Sequence, residues 1–386
     1  MNDLYTDKVA QKNRAISLDI ARGSMLLLII LSHFPLLLYM TEPGVATKVG
    51  SSTPLDQFLN FLMEMLVDNR ARPLFAILFG YGLVMIYRKQ LERQGAEEAK
   101  RIIKRRCWYL ILFGSILAGV AGGQDILMTY GIAGLLLVSS LKKDSNRIKK
   151  YVIISTIICL IYVPALWGGF FFTIQSYGFS NALTGQETYF STIVDRLIAV
   201  PVNPLFTHIL MPVIPTVLMG IWLGKLNVLT KPYNHIKQLK KITIGCLTIS
   251  LAGAIPLVLI NDIWFPGFFT AGTAYGIHVI TGFAAGASYA ALFGLLGVGI
   301  KYRGVIVKAI TAMGKRSLTF FVIHEVLIVI LLSPIAFNLG AILTVTSSVL
   351  LGILMWIVTL SFAYFMEIRQ IEGPLEKYMR YLTYKN

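Results

Sequence analysis

Long apolar runs constrain the fold of this chain more than any other feature of its sequence. A helix needs roughly 20 apolar residues to cross a hydrocarbon core about 30 Å thick. About ten runs approach or exceed this length, at approximately residues 16–39, 57–87, 107–122, 125–141, 151–173, 205–224, 242–261, 274–299, 317–333 and 343–366. The sequence therefore predicts an all-α, polytopic integral membrane helix bundle of about ten transmembrane helices.

The composition supports this class. Hydrophobic residues make up 56% of the chain and charged residues only 14%, whereas soluble domains are about 25% charged. A water-soluble fold could not bury this much apolar surface. We expect one transmembrane domain over residues 1–386, with a cytoplasmic tail at 1–15, the helical bundle at 16–366 and a cytoplasmic amphipathic tail at 367–386.

The net charge of +16 is explained by where the basic residues lie. Of the 35 Lys and Arg residues, 30 fall in the two tails and in the alternate connections 88–106, 142–150, 225–241 and 300–316. Positive residues favour the cytoplasmic side, so ten spans with both termini in the cytoplasm are predicted. No single basic face remains for nucleic acid, and no nucleic-acid partner is expected.

The common motifs of nucleotide hydrolysis, metallohydrolases and serine hydrolases are absent from the sequence. The three cysteines are far apart, which leaves neither a disulfide framework nor a CxxC metal pair. No Walker loop, HExxH or GxSxG motif occurs. We therefore expect no metal site and no tightly bound cofactor.

Two segments refine the predicted topology. Asp68–Pro73 interrupts the second run, so the crossing is predicted to begin at Pro73, with 57–67 as an interfacial or re-entrant half-helix. After Gly373-Pro374, apolar residues recur on one helical face, which predicts an amphipathic interfacial helix on the inner leaflet.

Ionisable residues inside the runs are the candidates for function, because each costs about 2.5 to 3.5 kcal/mol at mid-membrane. They are Asp19, Arg22, His33, His208, His278, His324 and Glu325. His208 and His278 lie nearer the outer ends of their spans, where water or headgroups satisfy them, and structural roles are favoured for both.

The first span carries a stripe of polar residues. Asp19 and Arg22 are three residues apart and can neutralise each other. Arg22 and His33 lie eleven residues apart, which places them on nearly the same helical face and about 16 Å apart along the axis. The structural alternative is that Asp19 and Arg22 anchor the helix at the inner interface while His33 bonds a neighbouring carbonyl.

His324 and Glu325 are adjacent in the ninth span and point about 100° apart on a helix. Each must therefore find its own partner on another helix, and Arg22 is a candidate partner for Glu325. The alternative for each residue is a structural interhelical contact, and it is favoured less for His324 than for Glu325.

Arg70 and Arg72 lie on the predicted outer side, beside a helix N-terminus. Free amide groups there favour anions, so one hypothesis is an outward-facing site for a phosphate, a carboxylate or a headgroup. The alternative is simple pairing with Asp68, with Glu64 or with lipid phosphate.

Four segments of the sequence together carry a family resemblance. They are the opening Leu18-Asp19-x-x-Arg22-Gly23, the segments Pro73–Gly82 and Gly314–Thr319, and the ending Gly373–Tyr384. These segments resemble the YeiB-like bacterial membrane family (domain of unknown function 418). The opening is the most widely shared of them, and the ending is the most specific.

The same opening is similar to that of the transmembrane acyltransferase superfamily. His33 stands where YeiB-like members usually have Asn, and it completes the Arg-x10-His motif that resembles acyltransferase family three. Ser317-x-x-x-Phe321-x-x-His324 is similar to that family's Ser-x-x-x-Tyr-x-x-His pattern, with Phe321 where Tyr is usual.

The resemblance implies a multi-pass protein of the bacterial cytoplasmic membrane. It further implies that an acyl group passes from a cytoplasmic acyl-CoA-type donor to an extracytoplasmic glycan or cell-envelope polymer. In this hypothesis His33 is the general base, and Arg22, held by Asp19, binds the donor. His324 and Glu325 complete the polar cavity, and Arg72 meets an anionic acceptor.

Two other classes stay open. A secondary transporter would use Asp19, Arg22 and Glu325 as an intramembrane relay, and it predicts a second broken helix near residue 273 to match the break before Pro73. A noncatalytic membrane scaffold would tolerate replacement of the polar residues. The enzyme hypothesis predicts that Arg22, His33 and His324 line one cavity open to the cytoplasm.

Overall fold

The computed structural model describes residues 16–39, 44–46, 48–178, 183–300 and 304–384; the predicted tail 1–15 lies outside them. These residues form no extended strand, and their β-structure is limited to isolated bridges such as Ala46–Gly178 and Ile260–Trp264. Their fourteen α-helices are α1 (Ile16–His33), α2 (Pro54–Leu66), α3 (Ala71–Ile116), α4 (Leu127–Leu137), α5 (Ser145–Ile174), α6 (Tyr189–Ala199), α7 (Asn203–Leu210), α8 (Ile214–Lys225), α9 (Ile236–Leu259), α10 (Phe268–Gly299), α11 (Val305–Lys315), α12 (Ser317–Leu332), α13 (Val345–Ile368) and α14 (Pro374–Tyr384). The predicted all-α class is confirmed.

Several helices are suited to crossing a membrane. Within the described residues, six helical stretches are long and apolar enough, or seven if the bent pair α6–α7 is one span. The six are Ile16–Leu37, Pro54–Ala121, Ser145–Ile174, Pro232–Leu259, Phe268–Gly299 and Val345–Ile368, and three shorter apolar helices accompany them. The polytopic bundle is confirmed, whereas the count of ten and the side of each terminus stay predictions.

Helix α3 is a hairpin of two helical arms. Gly95 has φ 82° and ψ 176° inside it, a backbone conformation open to glycine. A Cβ added to Gly134 would lie 2.5 Å from Cys107 Sγ and 3.2 Å from Phe79 Cζ. In an unbroken helix residues 79 and 107 would be about 42 Å apart. The chain therefore reverses near Gly95, within the basic connection predicted at 88–106.

The segment before α3 forms a separate helix, as predicted, although both boundaries differ. Helix α2 starts at Pro54 because Thr53 and Asp56 form a capping box. Helix α3 starts at Ala71, two residues before the predicted Pro73. Pro73 is accommodated because amide groups in the first turn have no partner within the helix.

The predicted span 205–224 is wrong as a single helix. Helix α7 ends at Leu210 and α8 begins at Ile214. Pro212 lies between them and Pro215 is in the first turn of α8, where its missing N–H costs no hydrogen bond. Helices α6 and α7 also bend by 58° at their junction. By contrast α10 runs unbroken through residue 273.

The C-terminal helix α14 is amphipathic and docks on the start of α12. Met379 and Thr383 are buried, and Tyr378 is exposed. The Glu376 carboxylate accepts hydrogen bonds from the amides of Leu318 (2.7 Å) and Thr319 (3.1 Å). Two segments of the family resemblance, 314–319 and 373–384, therefore meet in space.

Helix α1 packs closely against α11 through two glycines. A Cβ on Gly23 would collide with the carbonyl oxygen of Ile310, and one on Gly314 with that of Asp19. Gly23 directly follows Arg22, so this close approach fixes the position of the polar stripe on α1.

Candidate functional site

His33 and Glu325 form a buried pair between α1 and α12. His33 Nδ1 lies 2.6 Å from Glu325 Oε1. Glu325 is 1% exposed and the His33 side chain 21%, so the imidazole stands between the carboxylate and open space. The expectation that Glu325 needs a partner on another helix is confirmed, but the partner is His33 and not Arg22.

A backbone amide fixes the second carboxylate oxygen of Glu325. The Gln124 N–H donates to Glu325 Oε2 at 3.1 Å. Gly123 allows this approach, because a Cβ there would lie only 3.0 Å from the Glu325 Cβ. With both oxygens engaged, the carboxylate holds the imidazole ring in one orientation.

His33 lines a cavity of about 250 Å³, which we call the His33 cavity. That volume is slightly below the range of about 300 to 1,000 Å³ that is usual for small-molecule sites. Its lining is rich in polar and ionisable side chains, which include His33, Lys48, Asn60, Glu64, Asp68, Asn69, Arg72, Asp125 and His278.

Four ionisable residues of this cavity were not singled out as candidates from the sequence. Lys48 Nζ lies 2.8 Å from Glu64 Oε1 and 3.6 Å from Asp68 Oδ2. Asp125 caps α4, where its carboxylate accepts hydrogen bonds from the amides of Leu127 and Met128. Asp125 follows a glycine pair, Gly122-Gly123, and such a pair in the sequence could have predicted a tight loop at this position.

Arg22 lines a second cavity of about 300 Å³, which we call the Arg22 cavity. Arg106, Lys315 and Arg380 also line it, and Glu376 is the carboxylate among its lining residues. Helices α1, α3, α11 and α14 supply these side chains. The cavity is therefore a basic site at the end of the bundle where the basic connections lie.

Aromatic rings separate the two cavities. Phe321 is fully buried and lines both of them. Its ring centroid lies 6.3 Å from that of Phe75, which stacks on Tyr130 at 4.9 Å. The Tyr130 hydroxyl donates to the backbone oxygen of Arg72 (2.8 Å). We call Phe75, Tyr130 and Phe321 the aromatic partition.

The prediction that Arg22, His33 and His324 line one cavity is wrong. Arg22 and His33 line adjoining cavities on either side of Phe321. His324 lines neither, because its Nε2 pairs with Thr359 Oγ1 of α13 at 2.8 Å in a fully buried contact. His324 is therefore removed from the candidate catalytic residues.

Asp19 is buried and lines a third cavity of about 410 Å³. This cavity shares Lys315, Glu376 and Arg380 with the Arg22 cavity. A transporter relay would need Asp19, Arg22 and Glu325 to be connected. They are not, because Glu325 pairs with His33 on the other side of the aromatic partition.

The two arginines at the start of α3, Arg70 and Arg72, have different surroundings. Arg70 is fully buried, and its Nη1 donates to the Asp68 carbonyl (2.6 Å) and to His278, 2.9 Å from Nε2. Arg70 is thus a structural residue, and the prediction that it faces an outward anion site is wrong. Arg72 lines the His33 cavity, and its Nη2 donates to Asn69 Oδ1 at 2.5 Å.

The remaining histidines and possible metal ligands add no further site. His278 lines the His33 cavity and pairs with Arg70, in agreement with a structural role, while His208 lies on α7 and lines neither cavity. Among the described residues, no cluster of three or more His, Cys, Asp or Glu side chains could hold a metal ion.

The fold and the two cavities define a multi-pass helical membrane protein with adjoining polar sites. Residues 223–386, less than half of the chain, match the family described as "Protein of unknown function (DUF418)". This stretch contains the two segments that meet at Glu376. The resemblance to the YeiB-like DUF418 family is confirmed.

Two bacterial relatives support the same family. "Uncharacterized protein YxaH" of Bacillus subtilis (strain 168) is 25% identical over 228 residues, which cover 52% of this chain and 54% of the relative. "Uncharacterized protein YeiB" of Escherichia coli (strain K12) is 29% identical over 128 residues, 32% of this chain and 30% of the relative. The aligned stretches thus span about half of YxaH and less than a third of YeiB, and the likeness to acyltransferases stays a prediction.

Proposed function

We propose that the protein is a membrane acyltransferase that passes an acyl group from a donor in the Arg22 cavity to a hydroxyl group in the His33 cavity. One observation carries the proposal: the ring of Phe321 lines both cavities. A basic site and a base with its orienting carboxylate therefore lie back to back, within reach of a single reacting group.

The Arg22 cavity suits a donor with several phosphates. Arg22, Arg106, Lys315 and Arg380 line it, and Glu376 is the carboxylate among its lining residues. Lys315 also pairs with Glu367, and Arg380 with Glu372. Guanidinium groups bind phosphate oxygens through paired hydrogen bonds. An acyl-CoA-type donor has this chemistry, and the basic connections predict that this end of the bundle faces the cytoplasm.

The His33–Glu325 pair suits general-base catalysis. With the Nδ1 hydrogen donated to the Glu325 carboxylate, Nε2 keeps a lone pair that can take the acceptor's hydroxyl proton. Glu325 then stabilises the imidazolium that forms. Glu325 is a positioning residue, since it lies behind His33 and does not line the cavity.

The atoms of the reaction balance without a further reagent. The acceptor oxygen attacks the thioester carbonyl carbon as His33 Nε2 takes the hydroxyl proton. The carbon–sulfur bond then breaks, and the thiolate takes that proton from His33. An ester and a free thiol leave, and the imidazole returns to its neutral form.

Transfer across the aromatic partition requires Phe321 to move. Its ring fills the boundary between the cavities, so the thioester can meet His33 only when the ring turns aside. A closed partition keeps water from the thioester. The acceptor we propose is a glycan or envelope polymer on the side opposite the donor.

Binding and turnover of acyl-CoA by the purified protein test this proposal. Arg22→Gln should weaken acetyl-CoA binding at least about tenfold, because a charged hydrogen bond contributes about 1.5 to 3 kcal/mol. The matched control is Lys237→Gln, a basic residue on α9 that lines neither cavity. Calorimetry gives the dissociation constants, and thiol release in the presence of envelope material measures turnover.

Two results would contradict the proposal. One is a wild-type protein that binds no acyl-CoA and releases no thiol, as a transporter or scaffold would behave. The other is equal binding by wild type and Arg22→Gln, which would place the donor elsewhere.

A further inference from the structure

The cationic side chains of the His33 cavity are not equally neutralised. His33 pairs with Glu325, and Lys48 pairs with Glu64 and lies near Asp68. Arg72 differs, because it forms no ion pair with a carboxylate of the described residues within 4.0 Å.

The hydrogen bonds of Arg72 leave most of its donors unused. Nη2 donates to the amide oxygen of Asn69, which is a neutral acceptor. That contact uses one of the five N–H donors of a guanidinium. The side chain lines the cavity, so the other donors adjoin open volume.

The carboxylates of the same cavity already have donors of their own. Asp125 accepts two backbone amides, Glu64 accepts from Lys48, and Asp68 Oδ2 lies 3.6 Å from the same ammonium group. They therefore do not compensate Arg72. A half-buried cation without a counter-charge is costly, and a ligand anion would offset that cost.

We propose that Arg72 anchors an oxyanion-binding subsite in the His33 cavity, which takes a carboxylate or phosphate group carried by a sugar-sized ligand. A planar guanidinium binds either group through two parallel hydrogen bonds. In the proposed reaction this group belongs to the acceptor, and to that extent the inference rests on the proposed function. The sequence predicted one anion site for Arg70 and Arg72 together; in this proposal only Arg72 binds the anion.

Three sugars distinguish the ligand chemistry. Glucose 1-phosphate carries a phosphate, glucuronate a carboxylate, and glucose neither. Binding to the full-length protein in detergent is followed by calorimetry and by the thermal unfolding midpoint. We expect one or both anionic sugars to bind and raise the midpoint, and the stronger of the two identifies the preferred anion. Glucose should bind at least about tenfold more weakly.

Two arginine variants separate this subsite from the Arg22 cavity. Arg72→Gln should weaken the anionic sugar at least about tenfold, whereas Arg22→Gln should leave its affinity unchanged. Arg72→Lys keeps the charge but loses the planar pair of donors, so its affinity should fall between wild type and Arg72→Gln. The lysine variant also keeps the test informative if Arg72→Gln does not fold.

Three results would overturn the inference: no binding of either anionic sugar, equal binding of glucose, or loss of binding in Arg22→Gln but not in the Arg72 variants. None of these measurements requires acyl transfer. A protein that binds the anion through Arg72 but never transfers an acyl group would refute the proposed function and leave the subsite intact.

Discussion

Glu325 lies near the middle of α12, and its buried carboxylate is stabilised by two hydrogen-bonding partners from outside that helix. His33 binds one oxygen and the Gln124 amide the other. A buried charge that loses its partner costs about 3 to 5 kcal/mol. Loss of the His33–Glu325 pair should therefore lower the stability of the protein as well as its activity. Variants that test the function of the pair must preserve its hydrogen bonding.

Glu325→Gln is such a variant. The amide oxygen can still accept from Gln124, but the amide nitrogen then donates to His33 Nδ1. This change moves the ring proton to Nε2, where no lone pair is left to take a proton from the acceptor. We expect a folded protein whose transfer rate falls by about 10² to 10⁴-fold.

The rate is measured as thiol release in membranes at matched protein levels. Glu92→Gln, at an exposed position of α3, is the control and should behave as wild type. Wild-type activity in Glu325→Gln would show that the pairing does not serve catalysis.

Phe321→Ala tests the aromatic partition. Removing the ring joins the two cavities and admits water to the thioester, so hydrolysis of acyl-CoA should rise relative to transfer. Phe321→Tyr, which restores the residue usual in acyltransferase family three, should keep the wild-type ratio. Product analysis measures both rates, and an unchanged ratio in Phe321→Ala would mean that this ring does not separate the sites.

Single residues could be predicted from sequence only where the sequence itself marks them. The Arg22–His33 spacing places both on one face of α1, and a glutamate in an apolar run is conspicuous at residue 325. The pairing between positions 33 and 325 could not be predicted, because nothing local specifies which helices touch. Lys48 was missed because it lies in a loop, where no periodicity indicates a buried face. Asp125 was missed because it stands at the very start of the predicted run 125–141, where an ionisable residue is expected at the membrane surface.

At the scale of elements, α14 acts as a cap on α12. Glu376 accepts from two amides at the start of α12, and Thr319 Oγ1 also accepts from the Leu375 amide at 3.1 Å. Glu376 and Arg380 line the Arg22 cavity. The C-terminal helix therefore closes the basic cavity and holds the helix that carries Phe321 and Glu325.

Glu376→Ala should loosen α14. Loss of a helix cap costs about 0.5 to 2 kcal/mol, so trypsin should cleave after Lys377 and Arg380 several times faster than in wild type. Limited proteolysis with mass spectrometry measures the rate. Glu372→Ala is the matched control, because its bond to Arg380 is exposed and contributes little; equal cleavage in the two variants would contradict the capping role.

Most elements were predictable because apolar runs of helical length mark them. The exceptions have local causes. The break at 211–213 follows from Pro212 and Pro215. Proline lacks a backbone N–H and its ring clashes with the preceding turn, so the helix is interrupted although the apolar run is continuous. The docking of α14 depends on the contact between Glu376 and the start of α12, which amphipathic periodicity does not reveal. Periodicity predicted only a helix at a membrane surface.

At the scale of the whole molecule, the basic connections predict which end faces the cytoplasm. Asn234 lies in a basic connection, and Gln186 is predicted on the opposite side; both positions are exposed. A membrane-impermeant thiol reagent should label Gln186→Cys in intact cells and Asn234→Cys only after permeabilisation. The parent protein controls for Cys107, Cys159 and Cys246, and the reverse pattern would invert the proposed direction of transfer.

Vectorial transfer by His33 is the central claim, and one measurement tests it most directly. Sealed inverted membrane vesicles that carry the protein receive radiolabelled acetyl-CoA outside, and label is measured on envelope glycans inside. His33→Gln keeps a donor for Glu325 but removes the base, so we predict labelling in wild type and a loss of at least about 10²-fold in the variant. Equal labelling by a stably inserted His33→Gln would contradict the account.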